Sequence, residues 1–212
     1  MAKINNIKAR QVFDSRGIPT IESEIYLDDG TTGSAIVPSG ASTGSHEAFE
    51  LRDNENKQYL GKSVLKAIEK INTEISKALL GIDVDDQKKI DNTLIELDGT
   101  QQKKRLGANT ILSVSLASNK AASISKNIPL YKNISDNKTL PLPLMNIING
   151  GVHANNSLRI QEYMIRPDKA KNFKDAINIC FLVIQKLKFL MIEKNLPTTL
   201  GDEGGFAPSL SN

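Results

Sequence analysis

Two acids stand side by side in a run of glycines, Gly201-Asp202-Glu203-Gly204-Gly205-Phe206-Ala207-Pro208, straight after the short apolar segment 196–200. Glycines let the backbone turn sharply and let another group come close. An ordinary turn accounts for the glycines, because Asp and Gly are common turn residues. A catalytic loop at a strand end accounts for both glycines and acids. His153 follows a second glycine pair, Gly150-Gly151, at the end of another apolar segment. The chain has two histidines, too few for a histidine metal cluster, and a lone histidine is more often structural than catalytic. Gln161 and Glu162 are neighbours in the apolar segment 160–165. A regular strand would point them to opposite faces, unless a bulge or twist intervenes. Residues 38–44, Pro-Ser-Gly-Ala-Ser-Thr-Gly, bracket hydroxyls with glycines. They look like a phosphate loop, but the Walker pattern needs Lys after its last glycine, and here Ser45-His46 follow. A mobile surface loop is the plain alternative.

The elements around these residues fall into two parts. Ile21, Ser23, Ile25 and Leu27 alternate with Glu22, Glu24 and Tyr26, the period of a half-buried strand. Asp29-Gly30 offers a hairpin turn, residues 31–37 can return antiparallel, and residues 4–13 supply a third strand. Val64, Ile68, Ile71, Ile75 and Leu79 make one apolar helix face that begins near Ser63 and ends at Gly81. Ile90, Leu94 and Leu97 mark a helix between Asp85 and Gly99. Residues 107–125, rich in Ala and Ser, suit a helix packed tightly on its neighbours. Leu140-Pro141-Leu142-Pro143, after the polar stretch 135–139, is the boundary. Beyond it come strands at 144–148, 160–165 and 196–200, and a helix with Phe173, Ile177, Cys180, Ile184, Leu187 and Met191 as its buried stripe.

Composition excludes several classes. In 212 residues, 39% apolar and 24% charged content reads as a folded, soluble chain. A net charge of +3 with scattered Lys and Arg speaks against a nucleic-acid partner. No apolar run approaches the roughly 20 residues of a membrane span, and residues 1–10 lack the apolar region of a secretion signal. Cys180 is the only cysteine, so no internal disulfide forms. A cytoplasmic address is the expectation.

Taken in order, the segments 14–17, 38–53, 59–62, 106–109, 148–165 and 201–208 resemble enolase, the glycolytic 2-phosphoglycerate dehydratase, across essentially the whole chain. The resemblance implies an α+β capping domain, an antiparallel meander plus helices, over residues 1–138. An incomplete α/β (TIM-like) barrel follows over 139–212. A full barrel needs on the order of 250 residues, so it does not close here. By the same resemblance Glu203 is the proton donor to the departing hydroxyl, and Glu162 belongs to the acid–base network and contacts substrate. His153 and Gln161 bind substrate, and Ser42 is a ligand of a second Mg²⁺. Hard Mg²⁺ prefers oxygen, and a glycine-bracketed loop can hinge shut to exclude water. Carboxyls that share a site cannot both ionise cheaply, which is how a glutamate comes to act as a general acid.

Val152, Asn155 and Ile18 depart from common enolase patterns; Asn155 leaves the charge of its loop open. The base lysine and main Mg²⁺ carboxylates of enolases have no match in residues 1–212. The expectation is therefore the N-terminal half of an enolase, inactive without the rest, whose full-length relatives form homodimers or larger assemblies. A non-catalytic binding protein derived from an enolase is the alternative. A sugar-acid dehydratase of the same superfamily fits less well, because the 38–44 loop resembles that of the true enolases.

Overall fold

A computed structural model describes residues 1–37, 39–40, 44–54 and 58–210 of the chain. It divides into two compact units, Met1–Asn137 and Lys138–Asn212.

The first unit is built on a three-stranded antiparallel meander, β1 (Ile4–Phe13), β2 (Pro19–Leu27) and β3 (Thr32–Val37), with β2 in the centre. The alternation of β2 decides its facing: Ile21, Ser23, Ile25 and Leu27 are buried, while Glu22, Glu24 and Tyr26 are only partly so. The outer side chains form a polar ladder in which Arg10 pairs with Glu22 at 2.6 Å and with Glu24 at 3.3 Å. Asp14 shapes the β1–β2 turn, accepting from the main-chain N–H groups of Ile18 and Arg16 at 2.9 and 2.8 Å. These bonds, that from Ile18 above all, hold its carboxyl below the usual range.

Helices cover the inner face. α1 (Leu65–Lys70) continues through a π-helical segment, Ile71–Ile75, into α2 (Ser76–Leu79). The extra residue in that turn accompanies Asn72, whose side chain bonds both N–H and C=O of Ala9 on β1. That contact occupies polar groups an edge strand would leave open. α1 takes its cap from a distance: buried Asp53 accepts from Leu65 N and Lys66 N at 2.8 and 2.9 Å. α3 (Gln87–Asp98) starts at Asp86, which accepts from Lys89 N, and ends at left-handed Gly99.

α4 (Ala108–Ser125) lies on β2 and β3, and α5 (Leu130–Ile134) follows it. The small side of α4 is the buried one, with Ser113, Val114, Ala117, Ser118 and Ala121 inward and Leu112, Leu116 and Ile124 exposed. Close approach is the reason: a Cβ on Gly33 of β3 would stand 2.3 Å from Ala121 N. The hydroxyls of Ser23 and Ser113 satisfy each other across this contact at 2.7 Å. The apolar core joins Ile4, Ile7, Ile21 and Ile25 to Ile71, Ile75, Leu79, Ile90 and Leu94.

The second unit holds β4 (Met145–Asn149), antiparallel to β5 (Glu162–Ile165), and the long α6 (Phe173–Glu193). Asn172 caps α6 by accepting from Asp175 N, and left-handed Asn195 follows its end. Two expectations are corrected here. Residues 196–200 form no strand; Leu200 makes a single bridge to Phe206, and Pro197 has no N–H to give a ladder. The stripe expected on α6 is buried only at Cys180 and Met191, joined by Ala176. Phe173 and Ile177 are exposed: this helix is apolar on several faces, and no described strand packs extensively against it. The described residues form no closed barrel.

Candidate functional site

The second unit brings three of the expected side chains together. β4 ends at Asn149, and a 3-10 turn, Gly151–His153, follows. Gly150 N donates to Gln161 O at 3.0 Å and Gly151 N to Leu158 O at 2.8 Å, so the chain folds back on itself. Only glycine fits at this fold: a Cβ on Gly150 would lie 2.4 Å from Ile160 O. His153 is thereby fixed in a buried position, 5% exposed. Glu162, first residue of β5, pairs across the ladder with Asn149 and so stands at the same end of the hairpin. Gln161 lies outside the regular strand, exposed, so strict alternation with Glu162 does not apply.

The acid turn hangs on the same strand. Phe206 N donates to Ile147 O at 2.9 Å and Asn149 N to Phe206 O at 2.8 Å, a parallel bridge onto β4. Gly201 N reaches Gly205 O at 2.8 Å, Gly204 is left-handed (φ 81°), and Asp202 N donates to His153 O at 3.1 Å. Gly201 and Gly205 press against Asn149: a Cβ there would lie 2.7 Å from its Cβ or 2.6 Å from its Oδ1. The turn thus presents Glu203 at its tip.

Glu162 Oε1 lies 3.5 Å and Glu203 Oε1 3.8 Å from His153 Nδ1, with His153 buried and the glutamate side chains 27% and 48% exposed. These are ion-pair distances, longer than good hydrogen bonds. His153 Nδ1 has no hydrogen-bond partner among the described residues. A buried imidazole facing two accessible carboxylates can pass or hold a proton and can meet an anionic ligand. Of the acid pair, Glu203 and not Asp202 belongs to this trio.

Ser42 lies outside the described residues. Its loop is tied on the near side by Ser39, whose carbonyl accepts from Arg16 Nη2 at 2.6 Å. The Ser39 hydroxyl donates to Glu50, and Arg52 Nη2 reaches both Ser39 Oγ and Glu50 Oε1 at 2.7 Å. Beyond the loop, Gly44 N donates to Glu47 Oε1 at 2.7 Å. Asn149 is the residue that sequence reasoning passed over. It is fully buried, and neither atom of its side-chain amide has a partner among the described residues. The available signal was a polar residue inside an apolar run just before a glycine pair.

Comparison with known proteins adds the kinship. Residues 4–134 match the family model of the enolase N-terminal domain, and residues 137–212 that of the enolase C-terminal TIM barrel domain. The chain is 63% identical to the enolase of Pelagibacter ubique (strain HTCC1062) over 214 residues, covering 100% of this chain and 51% of that protein. It therefore spans about half the length of that curated relative. No described helix is long and apolar enough to cross a membrane. On the strength of two family models that together cover nearly all of it, the chain belongs to the enolase family.

Proposed function

We propose that this chain carries the leaving-group side of a phosphopyruvate hydratase, a lyase that reversibly dehydrates 2-phosphoglycerate to phosphoenolpyruvate in glycolysis and gluconeogenesis. The observation that carries the reading is the meeting of His153 and Glu162, at one hairpin end, with Glu203 of the acid turn bridged to the same strand. In this reaction the proton α to the substrate carboxylate leaves first and the β-hydroxyl follows. Glu203, the most accessible of the three, gives its carboxyl proton to that hydroxyl so that it departs as water. Glu162 shares the proton network and contacts substrate. Gln161 binds substrate as a neutral hydrogen-bonding group. His153 offers an imidazole to the same anionic substrate from a buried, fixed position.

Enolases use Mg²⁺. Mg²⁺ seeks octahedral oxygen donors and keeps several waters, whereas the trio offers one imidazole nitrogen and two carboxylates. The trio therefore does not fit as the magnesium site, and no proton step above runs through the ion. Ser42, a hard hydroxyl donor, is the residue of this chain we assign to Mg²⁺. No residue of 1–212 matches the family's base lysine, so we propose that this stretch alone does not turn over. The capping domain is assigned to 1–138 and the barrel portion to 139–212, with a cytoplasmic address and self-association into dimers or larger assemblies.

The test is Glu203→Gln in the enzyme completed to the length of its relatives. Exchange of the C2 proton with deuterated solvent should persist while product formation falls about 10²-fold or more, the range of acid–base groups. Equal loss of both would remove Glu203 from the leaving-group role.

A further inference from the structure

We propose that the crevice between α3, α4 and α5 binds a small zwitterion with an aliphatic side chain, a free α-amino acid of the leucine class. The crevice lies wholly in the first unit, and the inference does not rest on the enzymatic reading. Its cavity measures about 210 Å³. Sites for drug-sized ligands run from roughly 300 to 1,000 Å³, so this one takes a single small metabolite. Three observations name its chemistry.

The first is a carboxylate held in place. Ser115 Oγ and Gln87 Nε2 donate to Asp91 Oδ1 at 2.6 and 2.9 Å. Asn119 Nδ2 in turn donates to Gln87 Oε1 at 3.1 Å, so side chains of both α3 and α4 fix the acid. Every bond this carboxylate accepts falls on Oδ1, and Oδ2 has no partner among the described residues. The second observation is Lys120, which lines the same cavity. Asp91 and Lys120 do not pair with each other, and neither has an ion-pair partner among the described residues. On α4 the lysine starts about 7.5 Å of helix rise beyond Ser115, the residue that anchors the acid.

The third is an apolar wall. Leu116 of α4 and Leu130 and Ile134 of α5 line the remaining side, and Leu116 and Ile134 are exposed, at 42% and 67%. An aliphatic side chain laid on them takes that surface out of water. The charges decide what the side chain is attached to. A ligand with only an ammonium pairs with Asp91 and meets Lys120 as a like charge, and one with only a carboxylate does the reverse. A zwitterion satisfies both: its ammonium donates to Asp91 Oδ2 and its carboxylate accepts from Lys120. The acid is already fixed by its amide and hydroxyl donors, so little ordering is left to do when the ligand arrives.

Proton–nitrogen correlation spectra of 1–212 titrated with L-leucine test the site. The side-chain amide signals of Gln87 and Asn119 should shift and saturate in the millimolar range. Glycine, which lacks the side chain, should bind about tenfold more weakly or worse. L-Leucinamide, which has no carboxylate, and isocaproate, which has no ammonium, should each lose about tenfold or more, the loss for a bond to a charged group. Asp91→Asn and Lys120→Gln should weaken leucine binding to the same degree, whereas Lys88→Gln, exposed on α3, should change nothing. If Asp91→Asn misfolds by circular dichroism, Lys120→Gln and Ile134→Ser, both at accessible positions, decide. No saturable shift at the solubility limit of leucine, equal affinity for leucine and leucinamide, or leucine affinity unchanged in the variants overturns the proposal. No turnover is measured and no residue of the second unit is changed, so failure here is distinct from failure of the Glu203 exchange experiment.

Discussion

Asn149 fastens both loops of the site to one strand. Its N–H holds the acid turn through Phe206, its carbonyl accepts from Asn156 Nδ2 at 2.9 Å, and its side chain fills the space left by Gly201 and Gly205. Gly205→Ala would force a methyl to within 2.6 Å of Asn149 Oδ1 and 2.9 Å of the Ile147 carbonyl carbon. The backbone must then shift, and overpacking of this kind costs about 1–3 kcal/mol. A denaturant melt followed by circular dichroism, the chain having no Trp, should show that loss. Stability equal to wild type would mean the turn has room the geometry denies. Ser42→Ala, in a completed enzyme, should raise the Mg²⁺ needed for half-maximal rate on the order of tenfold. An unchanged requirement would leave Ser42 a loop residue only. At this scale flanking glycines singled out Glu203 and His153 in the sequence, and the fold brings the two side chains within 3.8 Å of each other. The sequence hid Asn149, since a single Asn at a strand end looks like any strand terminus.

Among the elements, α3 and the loop that follows it are joined by one buried carboxylate. Asp98, 2% exposed, accepts from Thr100 N and Leu106 N at 2.9 and 2.7 Å and from the Thr100 hydroxyl. Burial pushes this carboxyl up, but the bonds from Thr100 and Leu106 outweigh it and hold it below its ordinary value of 3.8. The folded carboxyl thus binds a proton more weakly than the unfolded one. Its stabilisation is complete above 3.8 and fades as pH falls through the lower folded value. Asp98→Asn should therefore cost about 1.5–3 kcal/mol at pH 7, the range for bonds to a charged group. The gap to wild type should narrow in strong acid. Denaturant midpoints at both pH values check this, and an equal gap would show that the charge is not what matters.

β2 and the apolar sides of α1–α3 were legible from their spacing, whereas the irregularity between Ile4 and Asn6 on β1 and the π-helical segment Ile71–Ile75 were not. The cap of α1 was not, since Asp53 reaches it from outside the helix. Nor was the exposure of α6, because periodicity marks a face as apolar without saying what covers it.

For the molecule as a whole, the two units differ in how much of their apolar surface they cover. The first closes a core of sheet and helices in which Ile21, Ile25, Ile71, Ile75 and Leu94 have no exposure. In the second, Phe181, Leu182, Phe189 and Ile192 of α6 are each more than half exposed, and so are Ile160 and Leu200. Its sheet has two strands, and small sheets with open edges unfold locally and associate readily. The polar and proline-containing stretch 135–143 between them read clearly in the sequence as a break. How much of the α/β part lacks cover did not, because an apolar pattern does not say what packs against it. Local opening is governed by how few buried contacts a segment has, and proteases cut segments that open. Limited proteolysis of 1–212 should accordingly leave a resistant product ending near residues 135–140, with the earliest cuts in α6 and the loops beyond it. The same preparation, given 2-phosphoglycerate and ample Mg²⁺, should show no dehydration above an enolase-free blank. Protection running evenly through Phe206 would mean that another chain, or another copy of this one, covers the second unit; turnover above the blank would mean that residues 1–212 hold a proton acceptor after all.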